Sequence, residues 1–485
     1  MQLWQLTQKV HVSWFIAVVC GSFVVGVVLS QYAQAAYFAS FVWLLVGVLL
    51  LGASLWRRAV ILLPFVVIAG LLLGLYRGSV THSQLDIYSK LYGASILVGG
   101  VVGDDPDFGK RNETVLRLSN VTIDGHEVAG SMWVSTFDRA DIRRSDTVTV
   151  EGKVSEGFGS FGAAIYKANV TKVERPEIGD VALQVRDGFA QNVRLAIDEP
   201  QVSLGLGYLL GLRRSLPPEL DEALMIAGLT HIVVASGYNL TILVRFARRF
   251  FIKVSKYLAA LSASAMIAAF IAITGMSPSM SRAGLVAGLS LAAWYYGRKF
   301  HPLVLLPFAA AITVAINPAY AWNDLGWQLS FAAFAGVMIL APLLQRYFYG
   351  DKKPGTLRQI LGETISATIV TLPILILAFG QFSNVAIIAN LLILPLVPLA
   401  MLLTFAAGIS VMLVPAAAPL AGLPAQWLLT YMTATAQYFA GLPWAQATLE
   451  IQSWVVWVAY SVIIGGCIYL YKATNYDLRQ SNIIE

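Results

Sequence analysis

The stretch GLTHIVVASGYNLTILV, from Gly228 to Val244, is apolar and long enough to cross most of a lipid bilayer. It nevertheless contains four side chains that form hydrogen bonds, namely His231, Ser236, Asn239 and Thr241. A polar side chain in the hydrocarbon core is costly unless it faces a protein partner or water. The stretch therefore indicates a membrane helix whose function depends on these polar groups.

The composition indicates a membrane protein along the whole chain. Of its 485 residues, 57% are hydrophobic and only 12% are charged, and the mean hydropathy is +0.69. A soluble domain carries about twice that charged fraction. Because each helical crossing needs about 20 apolar residues, the recurrent apolar segments predict a polytopic α-helical membrane protein with about 12 transmembrane helices.

The predicted spans form two blocks that are separated by a polar region. The first block contains three apolar segments, near residues 12–29, 37–55 and 59–76. The second block contains further segments near residues 223–244, 257–275, 280–296, 303–317, 325–344, 361–379, 385–413, 418–440 and 454–471. Pro395 and Pro398 predict that segment 385–413 is broken or re-entrant. Ala33-Gln34-Ala35 follows the first segment, so its cleavage as a signal peptide is the alternative to a retained helix.

Between the two blocks, polar and apolar residues alternate as they do in β-strands. TVLRLSNVTI and DTVTVEGKV show this alternation, and turn sequences such as DGHE separate the runs. Closure into a small β-barrel would satisfy the strand edges, so an extracellular barrel domain is expected. The predicted organisation is N-terminal helices (1–78), a β domain (90–176), an amphipathic linker helix (178–200), a large transmembrane domain (203–472) and a tail (473–485).

The linker carries apolar residues at every fourth position. They are Val181, Val185, Phe189, Val193 and Ile197, with charged residues between them. This spacing predicts a helix that lies along the membrane surface or packs on the β domain.

Positive charge is concentrated in short loops between the predicted spans of the second block. The basic residues of these loops are Arg245, Arg248, Arg249, Lys253, Lys256, Arg298, Lys299, Arg346, Lys352, Lys353, Arg358, Lys472 and Arg479. Loops rich in Lys and Arg stay on the cytoplasmic side. Their positions predict a multi-pass protein of the cell membrane, with an extracytoplasmic β domain and a cytoplasmic C-terminus.

Helical periodicity separates the polar residues of the opening stretch into two faces. At about 100° per residue, Ser236 and Asn239 lie about 60° apart, whereas His231 lies about 140° from Ser236. Ser236 and Asn239 are therefore candidates for lining a pathway, while His231 either organises the helix or holds a break in it. Gly237 permits a close helix approach or a kink. The alternative is that these side chains only bond neighbouring helices.

Further polar residues recur near the ends of the later spans. TGMSPSMSRAGL contains Arg282, NPAYAWNDLGWQLSF contains Asp324 and Gln328, and ANLLILPLVP contains Asn390. Together they indicate a polar path lined by hydrogen-bonding groups, although Asp324 is equally suited to capping a helix. Arg213 and Arg214, just before the second block, either attract phosphate or anchor at lipid headgroups.

The sequence predicts neither a metal site nor a cofactor. Its five histidines are scattered without the spacing that holds a metal, and Cys20 and Cys467 lie in apolar segments. Cysteines in such segments act as small hydrophobic side chains.

Four blocks of the chain, taken in order, carry a resemblance to a known family. They are LLGLRRSLPPELDEALMIAGLTHIVVASGYNL, MSPSMSRAGLVAGL, NPAYAWNDLGWQLSF and SNVAIIANLLILPLVPL. In this order they resemble the ComEC-type competence family, the inner-membrane channels that pass single-stranded DNA during natural transformation. The polar region 94–175 is similar to the extracellular OB-type domain that precedes the channel in this family.

The resemblance implies a DNA channel in the cell membrane. Its partners would be single-stranded DNA, the lipid bilayer and separate chains that act as DNA receptor, nuclease and cytoplasmic helicase or motor. The residues that it suggests for the pathway and its outer mouth are His231, Ser236, Gly237, Asn239, Arg282, Asp324, Gln328, Asn390, Arg213 and Arg214.

The chain departs from the family pattern at two points. Tyr238 and Asn239 stand where the family has Leu-His, so the role of that second histidine passes to Asn239 or is lost. About 14 residues follow the last predicted span, and the HxHxDH motif of the family's metallo-β-lactamase-like domain does not occur. We therefore expect that this chain is not an enzyme and that any nuclease is supplied by another chain.

Two other functions stay open on the residues alone. Broken helices with Asn and Pro suit a secondary transporter of a small polar solute, although few intramembrane acids are present to couple protons. Ala235-Ser236-Gly237 is similar to the surroundings of an intramembrane serine nucleophile, but His231 would point away from Ser236 on a continuous helix.

The β domain offers no excess of positive charge for DNA. Residues 94–175 contain 12 acidic and 10 basic residues, whereas phosphate binding depends on basic patches. Trp133, Phe137, Phe158 and Tyr166 either stack bases or form the core of the domain.

Overall fold

The computed structural model describes most of the chain, in two compact units. The described residues are 11–57, 59–109, 111, 113–138, 141–177, 179–233, 236–275, 278–298, 301–350 and 354–476. We call the two units the barrel unit (Met1–Asp180 and Leu303–Gln328) and the helical unit (Val181–Pro302 and Leu329–Glu485).

The secondary-structure elements are numbered in chain order. The first are α1 (Val12–Leu29), α2 (Ala35–Phe38), α3 (Phe41–Arg57), α4 (Leu63–Ser89), β1 (Ser95–Val102), β2 (Asp107–Phe108), β3 (Thr114–Ile123), β4 (His126–Glu127), β5 (Met132–Thr136), β6 (Thr147–Glu156) and β7 (Ala163–Glu174). The next are α5 (Val181–Arg194), α6 (Gln201–Leu210), α7 (Pro218–Ile226), α8 (Thr230–Val233), α9 (Gly237–Phe251), α10 (Lys256–Thr274), α11 (Pro278–Tyr295), α12 (Pro302–Ile316), α13 (Ala319–Asn323) and α14 (Leu325–Ala335). The last are α15 (Ala341–Tyr349), α16 (Thr356–Phe379), β8 (Gln381–Ser383), α17 (Ala386–Ile393), α18 (Val397–Leu413), α19 (Ala418–Ala440), β9 (Gln446–Thr448) and α20 (Ser453–Thr474).

Several helices have the length and hydropathy of membrane spans. Among the described residues there are seven such segments, namely Val12–Leu29, Val60–Ser89, Lys256–Thr274, Leu325–Tyr349, Thr356–Phe379, Ala386–Leu413 and Ser453–Thr474. Three more apolar helices, Phe41–Trp56, Gln201–Leu210 and Pro302–Ile316, are shorter. These helices agree with the helical membrane protein that the composition predicted, while the total of about 12 spans stays a prediction.

In the barrel unit, α1 and α4 pack so closely that their backbones touch. A Cβ added to Gly74 would lie 2.1 Å from the carbonyl oxygen of Phe23, and one added to Gly26 would lie 2.3 Å from that of Leu71. Gly70 and Gly78 meet Ser22 and Ser30 in the same way. Small residues at four-residue spacing allow this approach, which gains dispersion energy between helices in lipid.

The polar region forms a closed barrel of five long strands. The order of pairing is β1-β6-β7-β5-β3, and β3 pairs with β1 to close the barrel, while the short strands β2 and β4 extend β3. β5 and β7 are parallel, and the other pairs are antiparallel. The barrel core contains Leu116, Leu118, Met132, Val134, Val148, Val150 and Ile165. The predicted β-barrel is confirmed, whereas its extracellular position and its likeness to the OB type stay predictions.

A polar cluster stabilises the loop that precedes β6. The buried carboxylate of Asp146 accepts hydrogen bonds from the backbone N–H of Arg143 (2.8 Å) and from the guanidinium of Arg175 (3.0 Å). A side-chain hydrogen bond from Arg143, together with the charge of Arg175, holds the pKa of Asp141 below its ordinary value. Arg144 is buried beside Asp180, with 2.6 Å between their charged groups.

In the helical unit, α5 packs on α18. Phe189 faces Gly408 of α18 at a distance that leaves no room for a Cβ, and Val193 is fully buried. Val181 and Val185, which the four-residue spacing grouped with them, are exposed. A strict spacing of four drifts by about 40° per step around an α-helix, so the first and last residues of the series face different directions. The placement of this helix along the membrane surface or on the β domain stays a prediction.

The predicted span 223–244 is not one helix, so of the two alternatives left open above the structure has the broken helix. α7 ends before Gly228, whose φ of +72° is a left-handed conformation that favours glycine. The short α8 follows, and α9 begins only at Gly237. The segment 385–413 is broken as its prolines predicted, since a 3₁₀ turn over Leu394–Leu396 separates α17 from α18.

Candidate functional site

The interrupted helix α8–α9 lies at the centre of the candidate site. Ser236 has an extended backbone and is the N-cap of α9, and its hydroxyl accepts a hydrogen bond from the backbone N–H of Asn239 at 3.4 Å. Ser236 and Asn239 therefore do not lie side by side on a continuous helical face. Instead, Ser236 satisfies one of the free N–H groups at the start of α9.

Asn239 is fully buried and joins three helices. Its amide nitrogen donates to the carbonyl oxygens of Tyr208 in α6 and Ile232 in α8, at 3.1 Å each. Its side-chain oxygen has no hydrogen-bond partner among the described residues. The amide of Asn239 therefore connects α9 to both α6 and α8.

The start of α9 is accessible although it adjoins the core of the helical unit. His231, Gly237 and Tyr238 are exposed, whereas Ile232 and Val233 belong to the largest core cluster. The phenol of Tyr238 donates to the carbonyl oxygen of Leu394 at 3.2 Å, in the break between α17 and α18. Both helix interruptions of this unit therefore meet at Tyr238.

Close backbone approaches bring three of the predicted blocks together. A Cβ on Gly237 would lie 3.4 Å from the side chain of Ala283 in α11, which is the residue after Arg282. A Cβ on Gly228 would lie 2.6 Å from Ala386 in α17, the helix that carries Asn390. The opening stretch, the Arg282 block and the Asn390 block thus share one region of the helical unit.

Arg282 and Asn390 add two buried polar groups to this region. Both are 3% exposed. The guanidinium of Arg282 lies over the ring of Phe331 at 5.9 Å, a cation–π contact. The side-chain nitrogen of Asn390 donates to the carbonyl of Ala386 at 2.8 Å, while its oxygen has no partner in the part of the chain that the structure describes. Arg282 thus places a cationic side chain in the interior of the helical unit.

Asp324 and Gln328 lie in the barrel unit and have local roles there. The carboxylate of Asp324 accepts the backbone N–H of Trp327 at 2.6 Å, which is the helix-capping role weighed above. The amide of Gln328 donates to the carbonyl of Trp322 at 3.2 Å. The ring of Trp322 stacks on His82 at 3.9 Å and donates to the carbonyl of Val27 at 2.8 Å.

Arg213 and Arg214 differ in their surroundings. Arg213 makes a two-pronged ion pair with Asp221 at 3.0 Å, so part of its charge is already compensated. Arg214 is partly buried beside it in the turn Arg213–Ser215. Arg213 is therefore less available to phosphate than the sequence alone indicated.

An aromatic surface on the barrel was left undecided by the sequence. Trp133 contacts Tyr166 and Phe158 with ring centroids 5.2 and 5.4 Å apart, and Phe158 contacts Phe161 at 5.7 Å. Tyr166 and Phe158 are about half exposed, so these rings form a surface and not the core. Phe137 is also exposed. The opposite faces of these strands are buried inside the closed barrel. This burial, which the sequence alone does not show, identifies the rings as part of the outer surface.

Basic residues flank this aromatic surface, although the β domain has no net positive charge. Arg117 lies directly opposite Trp133 on the neighbouring strand β3, and it pairs with Asp104 at 3.1 Å. Lys153 of β6 and Lys167 of β7 are exposed. A local basic rim is therefore compatible with the acidic excess of the whole domain.

No group of three or more His, Cys, Asp or Glu side chains that could hold a metal ion occurs among the described residues. The two cysteines, Cys20 and Cys467, are far apart in the chain and unpaired.

Comparison with known proteins identifies the family of the chain. A family model described as competence protein matches residues 208–473, more than half of the chain. The chain is also similar to ComE operon protein 3 of Bacillus subtilis (strain 168), with 27% identity over 202 residues, 40% of this chain and 25% of that protein. The match thus spans about a quarter of the length of this relative. No solved structure matches the chain. The chain, which contains the interrupted helix within the matched region, belongs to the competence protein family.

Proposed function

We propose that the chain is a cell-membrane channel that passes single-stranded DNA into the cytoplasm during natural transformation. The observation that carries this proposal is the meeting of α8–α9, α11 and α17–α18 in one region, which contains the buried side chains Asn239, Arg282 and Asn390. Membership of the competence protein family supports it.

Interrupted helices suit a path for a polar polymer. Free backbone groups at membrane depth persist only where protein or water satisfies them, so a helix break lies either within protein packing or beside a water-filled path. Each phosphate of DNA carries a negative charge. Hydrogen-bond donors and a small number of cations along a path can stabilise these charges. One buried arginine, Arg282, together with the exposed residues Gly237 and Tyr238 at the start of α9, fits this requirement.

The aromatic surface of the barrel supports a role in receiving the strand. Bases stack on exposed aromatic side chains regardless of sequence, at about 1–3 kcal/mol per base. In barrels of the OB type, the second and third strands and the loop between the fourth and fifth bind nucleic acid. The corresponding parts here are β3, β5 and the loop between β6 and β7, which carry Arg117, Trp133 and Phe158.

The proposal includes topology and partners. A multi-pass chain with its β domain outside and its C-terminus in the cytoplasm would receive DNA from a separate receptor chain. A separate nuclease would degrade the second strand and a cytoplasmic motor would pull the first, since we propose no enzymatic activity for this chain.

The test measures DNA uptake in a strain that lacks the gene and carries wild type or a variant at equal membrane level. We expect Arg282→Ala and Asn239→Leu to reduce nuclease-protected internal DNA by about tenfold or more while surface-bound DNA is retained. Asn192→Leu is the matched control, because Asn192 bonds only the carbonyl of Gly188 in its own helix.

If both variants take up DNA as well as wild type does, these side chains only hold neighbouring helices together and do not act in translocation. Unchanged transformation in the strain without the gene would refute the DNA channel. Ion-driven uptake of a small solute in proteoliposomes would then favour the transporter.

A further inference from the structure

The second half of α9 and the turn after it present an outward face of alternating apolar and basic side chains. The exposed residues of this face are Phe246, Arg249 and Phe250 in α9 and Lys253 and Val254 in the turn after it. Phe250 and Val254 are 70% and 73% exposed. The other side of α9, with Leu240 and Val244, is buried against α10 and α11.

The charge of this region is of one sign. From Ala223 to Asn323 the sequence has no acidic residue but eight Lys and Arg. Two of the arginines have partners within the protein. Arg245 interacts with the charge of Glu363, and the guanidinium of Arg248 lies 5.0 Å from the ring centroid of Trp294. Arg249, Lys253 and Lys256 are exposed and form no ion pair with any described acidic residue.

The position of these residues relative to a membrane span follows from α10. This helix is apolar and long enough to cross the bilayer, and it begins at Lys256. Lys256 lies over the rings of Trp294 and Tyr295, at 5.6 and 5.5 Å. Aromatic rings and basic side chains at the end of a span occupy the headgroup layer. With 15 residues, α9 is about 22 Å long, less than the roughly 30 Å hydrocarbon core.

We propose that this surface, the α9–α10 patch of Arg249, Lys253, Lys256, Phe246, Phe250 and Val254, binds anionic phospholipid. The three basic groups would bind the headgroup phosphate, and the apolar side chains would enter the upper acyl region. A basic helix with exposed apolar side chains between its charges is typical of binding to an anionic membrane surface. Val254 adds aliphatic surface that acyl chains can bury, while Phe246 and Phe250 are rings on which bases can also stack, so nucleic acid is the competing ligand in the test below.

The proposal does not depend on what passes through the chain. It assigns the end of α9 to the bilayer interface, and the site at the start of α9 is separate from it. Channel activity and lipid binding can therefore fail independently.

The test uses the full chain in non-ionic detergent micelles that contain phosphatidylcholine, with or without phosphatidylglycerol. Native mass spectrometry counts the lipids that stay bound. The test variant is R249Q/K253Q/K256Q, and the control R111Q/K153Q/K167Q removes the same charge from exposed positions of the barrel. We expect wild type and control to retain phosphatidylglycerol, and the test variant to bind it about a hundredfold more weakly, at about fivefold per basic residue.

Equal retention by the test variant and the control would overturn the proposal, as would equal retention of phosphatidylcholine and phosphatidylglycerol by wild type. Displacement of the lipid by an oligothymidylate at equal phosphate would assign the patch to nucleic acid instead. If the triple variant is not monodisperse, the single variant Lys253→Gln replaces it. We expect this variant to bind phosphatidylglycerol about fivefold more weakly. Binding as tight as that of wild type would overturn the proposal.

Discussion

At the scale of single residues, Asn239 maintains the interruption between α8 and α9. Its amide nitrogen bonds the carbonyl of Ile232 at the end of one helix and that of Tyr208 in another. Without it, these carbonyls would lack this donor in a buried setting, at about 1–3 kcal/mol for each unsatisfied group. The sequence marked Asn239 as unusual but not its role, because one partner lies 31 residues earlier in the chain.

Trp133 is the central ring of the aromatic surface, so its removal tests whether the barrel binds single strands. We expect Trp133→Ala to weaken binding of a labelled oligothymidylate to the full chain by about 1–3 kcal/mol, the value of one stacked base. Fluorescence anisotropy gives the Kd. The control is Phe108→Ala, since Phe108 is 69% exposed and makes no ring contact with any described residue. Equal losses in both variants would argue against stacking at Trp133.

At the scale of elements, the close pair α1–α4 depends on glycines whose spacing the sequence already displays. Gly70, Gly74 and Gly78 recur every four residues, and each faces α1. The pattern was available without a structure. By contrast, the sequence of residues 228–244 offered a helix break only as one of two alternatives, because the partners that stabilise the break come from α6 and α17–α18.

Gly74→Ala tests the close packing of this pair. The new Cβ would lie 2.1 Å from the carbonyl oxygen of Phe23, so α1 and α4 must separate, and we expect a loss of about 1–3 kcal/mol in the free energy of unfolding. Gly52→Ala in α3 meets no atom within 4 Å, and helix propensity predicts a gain of up to about 1 kcal/mol. Thermal unfolding in detergent compares the two. Similar stability of both variants would contradict the backbone contact.

At the scale of the whole molecule, composition and alternation predicted the membrane class and the barrel correctly. These properties are sums over many residues, so no single position decides them. The candidate site was predicted less completely. Arg282, Asn390 and Asn239 lie in one unit, whereas Asp324 caps α14 in the other, and a cap and a pathway residue have the same sequence signature. The two roles can be distinguished only by the residues that each side chain contacts in the folded protein. A single sequence does not contain this information.

The distribution of basic loops predicts an orientation of the chain in the membrane, and labelling can test this prediction. In a background with Cys20 and Cys467 changed to alanine, single substitutions Lys153→Cys on the barrel and Lys253→Cys after α9 place thiols at exposed positions. Since Lys- and Arg-rich loops stay in the cytoplasm, we expect a membrane-impermeant maleimide to label Lys153→Cys in intact cells. Lys253→Cys should react only after permeabilisation. Labelling of Lys253→Cys in intact cells would invert the topology, and the α9–α10 patch would then face the outer leaflet.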